Sequence, residues 1–192
     1  MALSLVQLAA GLTSFQAGLL TIGYLIAILL TIRVGEKLLQ KWGAKKPMIL
    51  GCIITGVGIF LLSFTFVFAS QYMVIAVIGF TLFGIGLGFY ATPSTDAALS
   101  TVPAEKAGSA SGIYKMASSL GAAFGVAISA AIFTGLSNGT VKYIEGLFWG
   151  RVDNVSLRYG ALIALLFNLV MVVIAIISIM IAIPAGKSEK HD

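Results

Sequence analysis

The sequence predicts an all-α polytopic membrane bundle of five transmembrane helices. Three observations predict it. Of the 192 residues, 59% are hydrophobic and only 10% are charged, whereas a soluble domain carries roughly 25% charged residues. Mean hydropathy is +1.04, and there are 22 glycines, a residue commoner in membrane helices than in soluble ones. Finally, apolar runs of the length needed to cross the hydrocarbon, about 20 residues for roughly 30 Å, recur between short polar connections.

The first span is expected at about 15–32. Ser14 is placed to cap it, and Arg33, Glu36 and Lys37 follow its end. Residues 1–14 carry no positive charge and lead to no soluble domain, so this run is read as a span and not as a secretory signal. The second span, 47–68, opens on Pro47, which suits a first helical turn. A tight turn at Ala69, Ser70 and Gln71 leads into the third span, 72–91. Pro93 and Pro103 then bracket a short polar connection to the fourth span, 108–133, and the fifth occupies 159–183.

Charge orients these spans. One side collects Arg33, Lys37, Lys41, Lys45, Lys46, Lys106, Lys115, Lys187 and Lys190; the other has Lys142, Arg151 and Arg158. Cytoplasmic loops hold the excess of positive residues. The N-terminus is therefore expected outside, the tail inside, and the charged stretch 34–47 in a cytoplasmic loop. The net charge of +5 flanks apolar runs and forms no patch on a soluble module, which points to anionic lipid headgroups and away from nucleic acid.

Chemistry is constrained by what is scarce. The one cysteine, Cys52, and the one histidine, His191, assemble no disulfide framework, no metal cluster and no nucleophile–base dyad. Cys52 reads as packing and His191 as a solvated tail residue. No span offers paired carboxylates or a serine beside a base, so an intramembrane enzyme is disfavoured, and no catalytic residue, metal or cofactor is implied. Lys115 falls about two turns into the fourth span, where a long stem favours snorkelling to the cytoplasmic face over a substrate or proton role. Asp96, near Pro93, reads as a loop or cap residue.

Small residues mark helix contacts. Gly84 and Gly88 in the third span, and Gly121 and Gly125 in the fourth, put a smooth stripe on one face of each helix, which favours close packing over a hinge. The first and fourth spans also hold more hydrogen-bonding groups than the others, notably Gln16, Tyr24, Ser111, Tyr114, Ser118 and Ser119, which are expected to face the bundle or a cavity. The second and fifth spans are poor in such groups; the fifth has only Asn168 and Ser178 in its interior. An odd number of spans, with an apolar and uncharged N-terminal stretch placed outside, suggests a fragment of something longer.

Three stretches carry a family resemblance. Lys41-Trp42-Gly43-Ala44-Lys45-Lys46-Pro47 resembles the end of the signature cytoplasmic loop of the major facilitator superfamily. Gln40 stands where that loop has Asp and Glu36 where it has its first Gly, so the match is to the weaker copy in the second half. Residues 11–18, GLTSFQAG, look like the external lead-in to a second-half helix of the fourteen-helix drug:proton antiporters. Residues 84–128, from GIGLGFYATPSTD to GAAFGVAI, resemble the helix, loop and helix near the C-terminus of that branch, which includes NorB-type and QacA-type multidrug efflux pumps.

The resemblance implies that the chain is a partial C-terminal bundle of a major facilitator fold, its five helices being the last five of such a pump. It implies export of hydrophobic, often cationic or zwitterionic, drug-like molecules in exchange for protons. Tyr24, Thr81, Ser119 and Phe124 become cavity-lining candidates. Lys41, Gly43, Lys45 and Lys46 belong to a cytoplasmic motif that braces helix ends, although for Lys37 and Lys41 a simple topological anchor is equally compatible. The second and fifth spans take outer, lipid-facing places. Because no Asp or Glu lies within a span, the proton-coupling residues are expected in the missing N-terminal part, and the chain alone is expected not to transport. It would associate with a separate transporter half; a non-transporting membrane interaction protein or a self-assembling small transporter is the alternative.

Overall fold

The structure, a computed structural model, describes residues 13–65, 69–137 and 155–184, together with the single position 7. Five long helices follow one another: α1 (Ser14–Trp42), α2 (Lys45–Leu62), α3 (Ala69–Leu99), α4 (Ala107–Ser137) and α5 (Val155–Ala182), with a short 3-10 turn at Ala104–Lys106 before α4. There is no strand among the described residues. Four helices, α2 to α5, are long and apolar enough to cross a membrane. In α1, residues 14–32 carry no charge and the charged positions all follow Ile32.

Helix ends depart from the sequence expectations in ways that have local causes. Thr13, and not Ser14, caps α1: the Gln16 backbone N–H donates to Thr13 Oγ1 at 3.3 Å, and the Thr13 N–H donates to Gln16 Oε1 at 3.0 Å, a reciprocal capping box. The charged stretch 34–47 is mostly helix. Between Ile32 and Gly43 there is no proline and a single glycine, Gly35, while Glu36, Lys37, Leu38, Leu39, Gln40 and Lys41 all favour a helix. The apolar run limits what crosses the hydrocarbon, and backbone hydrogen bonding continues past it. The helix stops at Gly43, whose φ of 74° suits glycine and whose N–H donates to Leu39 O at 2.8 Å. Only Gly43 and Ala44 separate α1 from α2.

α2 ends at Leu62, short of the expected Phe68, as the Ser63 hydroxyl turns back to Ile59 O at 2.9 Å. Residues 66–68 lie outside those described. Ala69, Ser70 and Gln71, expected as a turn, form the start of α3. α3 also runs straight through Pro93 to Leu99. Pro93 donates no N–H to Phe89 O, four residues back, and disturbs the preceding turn; the hydroxyls beside it bond within the helix, Ser94 Oγ donating to Ala91 O at 3.0 Å and Thr95 Oγ1 to the same oxygen at 3.1 Å. Nearby Ser and Thr side chains are among the means by which membrane helices tolerate proline. Asp96 is consequently a helix residue, not a loop residue.

α3 is the hub. It packs between α1 and α2, α2 packs in turn on α5, and α5 on α4, while α3 and α4 touch only slightly. The α2 residues that face inward, Met48, Gly51, Cys52, Thr55, Gly58, Ile59 and Leu62, recur at the spacing of one helix face. The main core joins Ile59 and Leu62 of α2, Tyr72, Ala76 and Phe80 of α3, Phe133 of α4, and Ala161, Ala164 and Leu165 of α5. α2 therefore has a partner on two sides and leaves exposed an outer strip with Ile53, Val57 and Phe60. In α5, Asn168 does not face outward: its amide donates to Ser129 Oγ of α4 at 2.9 Å and to Ala164 O at 2.7 Å.

Candidate substrate groove

α1 and α3 approach so closely at mid-height that two separate grooves remain between them, one toward each end. The close approach is made by glycines. A Cβ on Gly84 would stand 2.6 Å from Tyr24 O, and one on Gly35 would stand 2.6 Å from Gly88 O, separations that real Cβ atoms do not adopt. Gly88 faces Thr31, whose hydroxyl is folded down onto Ala27 O at 2.6 Å.

Toward the start of both helices lies a groove of about 370 Å³ lined by Gln16, Leu19 and Gly23 of α1 and by Met73, Val77 and Thr81 of α3. Its walls are apolar apart from Gln16 and Thr81. The Thr81 hydroxyl donates to Val77 O at 2.7 Å, so its oxygen keeps acceptor capacity toward the groove. One residue beyond Gly23, the Tyr24 ring is tilted against Phe83 with centroids 5.7 Å apart. Toward the other end, a more polar groove of about 500 Å³ is lined by Glu36, Leu39 and Gln40 of α1 and by Thr92, Thr95, Asp96 and Leu99 of α3.

Of the four cavity candidates taken from sequence, Thr81 lines the first groove and Tyr24 adjoins it. Ser119 and Phe124 lie on α4, where Phe124 is 65% exposed, and line neither groove. Met73 and Val77 were not singled out in the sequence. Their signal is positional: Met73, Val77 and Thr81 recur every four residues on one face of α3.

The glycine stripes divide in the same way. Gly84 and Gly88 are buried against α1, but no described atom comes within 4 Å of a Cβ on Gly121 or Gly125. The close packing expected at these two positions is not made among the described residues, because α4 has only α5 as a substantial neighbour and the stripe faces away from it. On α4, Tyr114 shares a hydrogen bond with Ser94 Oγ of α3 at 2.8 Å; Ser118 and Ser119 are exposed. Lys115 is exposed too, its ammonium 5.6 Å from the Tyr114 ring centroid.

The basic motif splits between the two sides of the α1–α2 turn. Lys41 lies in the last turn of α1 with Nζ 6.0 Å from the Trp42 ring centroid, Gly43 makes the turn, and Lys46 is exposed in the first turn of α2. Lys45 reaches across to α5, donating to Met180 O at 2.7 Å. That carbonyl lies in the last turn of α5, where backbone oxygens lack helical partners and the helix dipole is negative. Among the described residues no three His, Cys, Asp or Glu side chains converge as a metal site would require. Lys142, Arg151, Lys187, Lys190 and His191 lie outside the described residues.

A family model described as Major Facilitator Superfamily matches residues 1–191. The chain belongs to that superfamily. Among curated proteins, Quinolone resistance protein NorB of Staphylococcus aureus strain MRSA252 is 46% identical over 179 residues, which covers 93% of this chain and 35% of the relative. Proteins of the same name from strains COL and JH9 match with the same identity and coverage. This superfamily chain thus spans about a third of the length of the curated relatives it matches.

Proposed function

We propose that the chain forms part of the wall of a drug-efflux transporter of this superfamily, in the drug:proton antiporter branch. The observation that carries the reading is the first α1–α3 groove. Its apolar lining, with a flexible methionine and only two polar side chains, suits loosely held hydrophobic substrates, and the matched relatives are named for quinolone resistance. Tyr24 and Thr81 are assigned to the substrate path directly. Ser119 and Phe124 join it where α4 meets parts of the complete transporter beyond residues 1–192.

Proton exchange requires a carboxylate, or an equivalent group, that takes up and releases a proton within the membrane. The carboxylates on the described α-helices are Glu36 and Asp96, both in the polar groove at the charged end. The coupling groups are therefore assigned to the remainder of the transporter, and residues 1–192 alone are inactive, seeking a separate half as partner. All five helices cross the bilayer, with the N-terminus outside and the C-terminus in the cytoplasm. In a Cys52→Ser background, an impermeant thiol reagent applied outside labels Asn138→Cys, a position outside the described residues, and leaves Gln40→Cys unlabelled; the opposite pattern reverses the topology.

Residues 1–192, exchanged for the matching segment of the S. aureus NorB protein in cells stripped of their own pumps, are expected to support quinolone efflux that an uncoupler abolishes. Thr81→Ala or Met73→Ala in the same chimaera changes the ranking of drugs exported by roughly 10-fold or less, as loss of one apolar or hydroxyl contact does. A chimaera that inserts normally but exports nothing contradicts the assignment. Uncoupler-sensitive efflux by residues 1–192 alone would favour a self-assembling small transporter.

A further inference from the structure

The first α1–α3 groove has only two polar side chains in its lining, Gln16 and Thr81, and the hydrogen bonds each already makes decide what it still offers. Gln16 belongs to the capping box that opens α1. Its Oε1 accepts from the Thr13 backbone N–H at 3.0 Å, and within a carboxamide only the oxygen can accept. The orientation of the amide is therefore fixed. Its Nε2 hydrogens, which the box does not use, are left as donors at the groove. Thr81 is the opposite case: its one hydroxyl proton goes to Val77 O at 2.7 Å, so toward the groove the oxygen can only accept.

The two groups stand at opposite ends. Gly84 abuts Tyr24 and Ala27, and Gly88 abuts Ile28 and Thr31, so α1 and α3 run parallel in a constant register. Carried back toward the helix starts, that register sets Gln16 near the level of Met73 and Gly23 near the level of Thr81. From one level to the other is about two helical turns, roughly 10–12 Å at 1.5 Å per residue. Leu19 and Val77 wall the space between, each about half exposed at 53% and 49%, and so reachable by an entering molecule. The described lining includes no charged side chain, and the first turns of α1 and α3 hold no carboxylate. At the start of α1 the helix dipole is positive, which adds to the pull of the Gln16 amide on an electronegative oxygen.

We propose that Gln16 and Thr81 set which way round a substrate lies in this groove, Gln16 donating to a carbonyl or carboxylate oxygen and Thr81 accepting from an N–H group. The ligand class is a flat, largely apolar molecule with an acceptor at one end and a donor at the other, roughly 10 Å apart along the helices. Its acceptor end points toward the start of α1. The inference deepens the substrate-path reading of this groove and rests on it.

Three fluorescent probes on one ring system separate the two contacts: an aminonaphthoic acid with its groups at opposite ends, the naphthoic acid lacking the amine, and the aminonaphthalene lacking the carboxylate. Their affinities for residues 1–192 in phosphatidylcholine nanodiscs are read from probe fluorescence, with empty nanodiscs subtracted. The bifunctional probe is expected to bind most tightly. Gln16→Met removes the donors and should weaken both acid-bearing probes about three- to ten-fold, the range for one hydrogen bond, while sparing the aminonaphthalene. Gln16→Glu keeps the capping box, which accepts Glu at this position, and should weaken the same two probes at least as much. A residue that only capped α1 would show no such selectivity. Thr81→Val should weaken the two amine-bearing probes by a similar factor and spare the naphthoic acid, and Thr81→Ser should retain the parent affinities. Equal affinities of the three probes for the parent chain, no binding above empty nanodiscs, or variants that shift all three probes together overturn the proposal. Should Gln16→Met fail to insert, Gln16→Glu and Thr81→Val carry the test. Binding is measured without export, so a chimaera that inserts but exports nothing fails the transport reading while these affinities still decide the orientation.

Discussion

α3 and α4 are the same length, 31 residues each, and both are studded with glycine, yet they use it in opposite ways. On α3, Gly84 and Gly88 admit α1, while Gly79 and Gly86 admit α2; a Cβ on Gly86 would lie 2.6 Å from Gly51 O and 2.6 Å from the Thr55 nitrogen. α2 answers with Gly51 and Gly58, so that backbone meets backbone on both flanks of α3. On α4, Gly108, Gly112, Gly121, Gly125 and Gly135 meet no described atom within 4 Å. α4 is held instead by Gly160 of α5 against Phe133 O and by the Asn168–Ser129 hydrogen bond. A small-residue pattern thus permits close approach without causing it; what decides is whether a helix is present to approach.

The contrast breaks most sharply at Gly86. Gly86→Leu forces a side chain into backbone on α2, an overpacking expected to destabilise by about 3 kcal/mol or more, read as a lower thermal midpoint of the purified chain in detergent or as its loss from the membrane. A stable Gly86→Leu protein would mean that α2 and α3 separate easily.

A smaller effect is expected at the α4–α5 contact. Asn168→Leu removes one interhelical hydrogen bond, and such bonds in membrane bundles average about 0.6 kcal/mol. A double-mutant cycle with Ser129→Ala should recover a coupling of that order, and zero coupling would show that apolar packing around Phe133 and Leu165 alone joins the two helices.

The smallest effect is expected at Gly121. Gly121→Leu projects into open space and should change the stability of residues 1–192 by no more than about 0.5 kcal/mol. In the complete transporter the same change is expected to reduce drug resistance well below that of Gly139→Leu, at a position outside the described residues. Equal resistance for the two variants at equal protein level would leave the α4 stripe without a partner anywhere in the molecule.

How much of this was legible differs by feature. The helical membrane class was, because hydropathy is a property of local sequence, and so were the existence and order of the five helices. The groove was only half legible. Thr81 stood out as a hydroxyl in an apolar run and Tyr24 as an aromatic with a polar handle, whereas Met73 and Val77 resemble every other apolar residue of α3 until α1 is laid beside them. Ser119 and Phe124 looked equivalent to Tyr24 and Thr81 in sequence, but both sit at exposed positions of α4.

By itself, the sequence determined the apolar, helical membrane class of the chain, since hydropathy is summed over local residues. The stop at Gly43, where a positive φ needs no Cβ, has an equally local cause, although the sequence expectation ends this helix at about 32. Tertiary structure alone decided that α1 and α3 meet at Gly84 and Gly88, that α3 continues through Pro93, that Lys45 crosses to Met180, and that Asn168 turns inward to Ser129. Each of these depends on a partner distant in sequence or on the packing around it, and the energy of such contacts comes from atoms brought within a few ångströms only when the helices have docked.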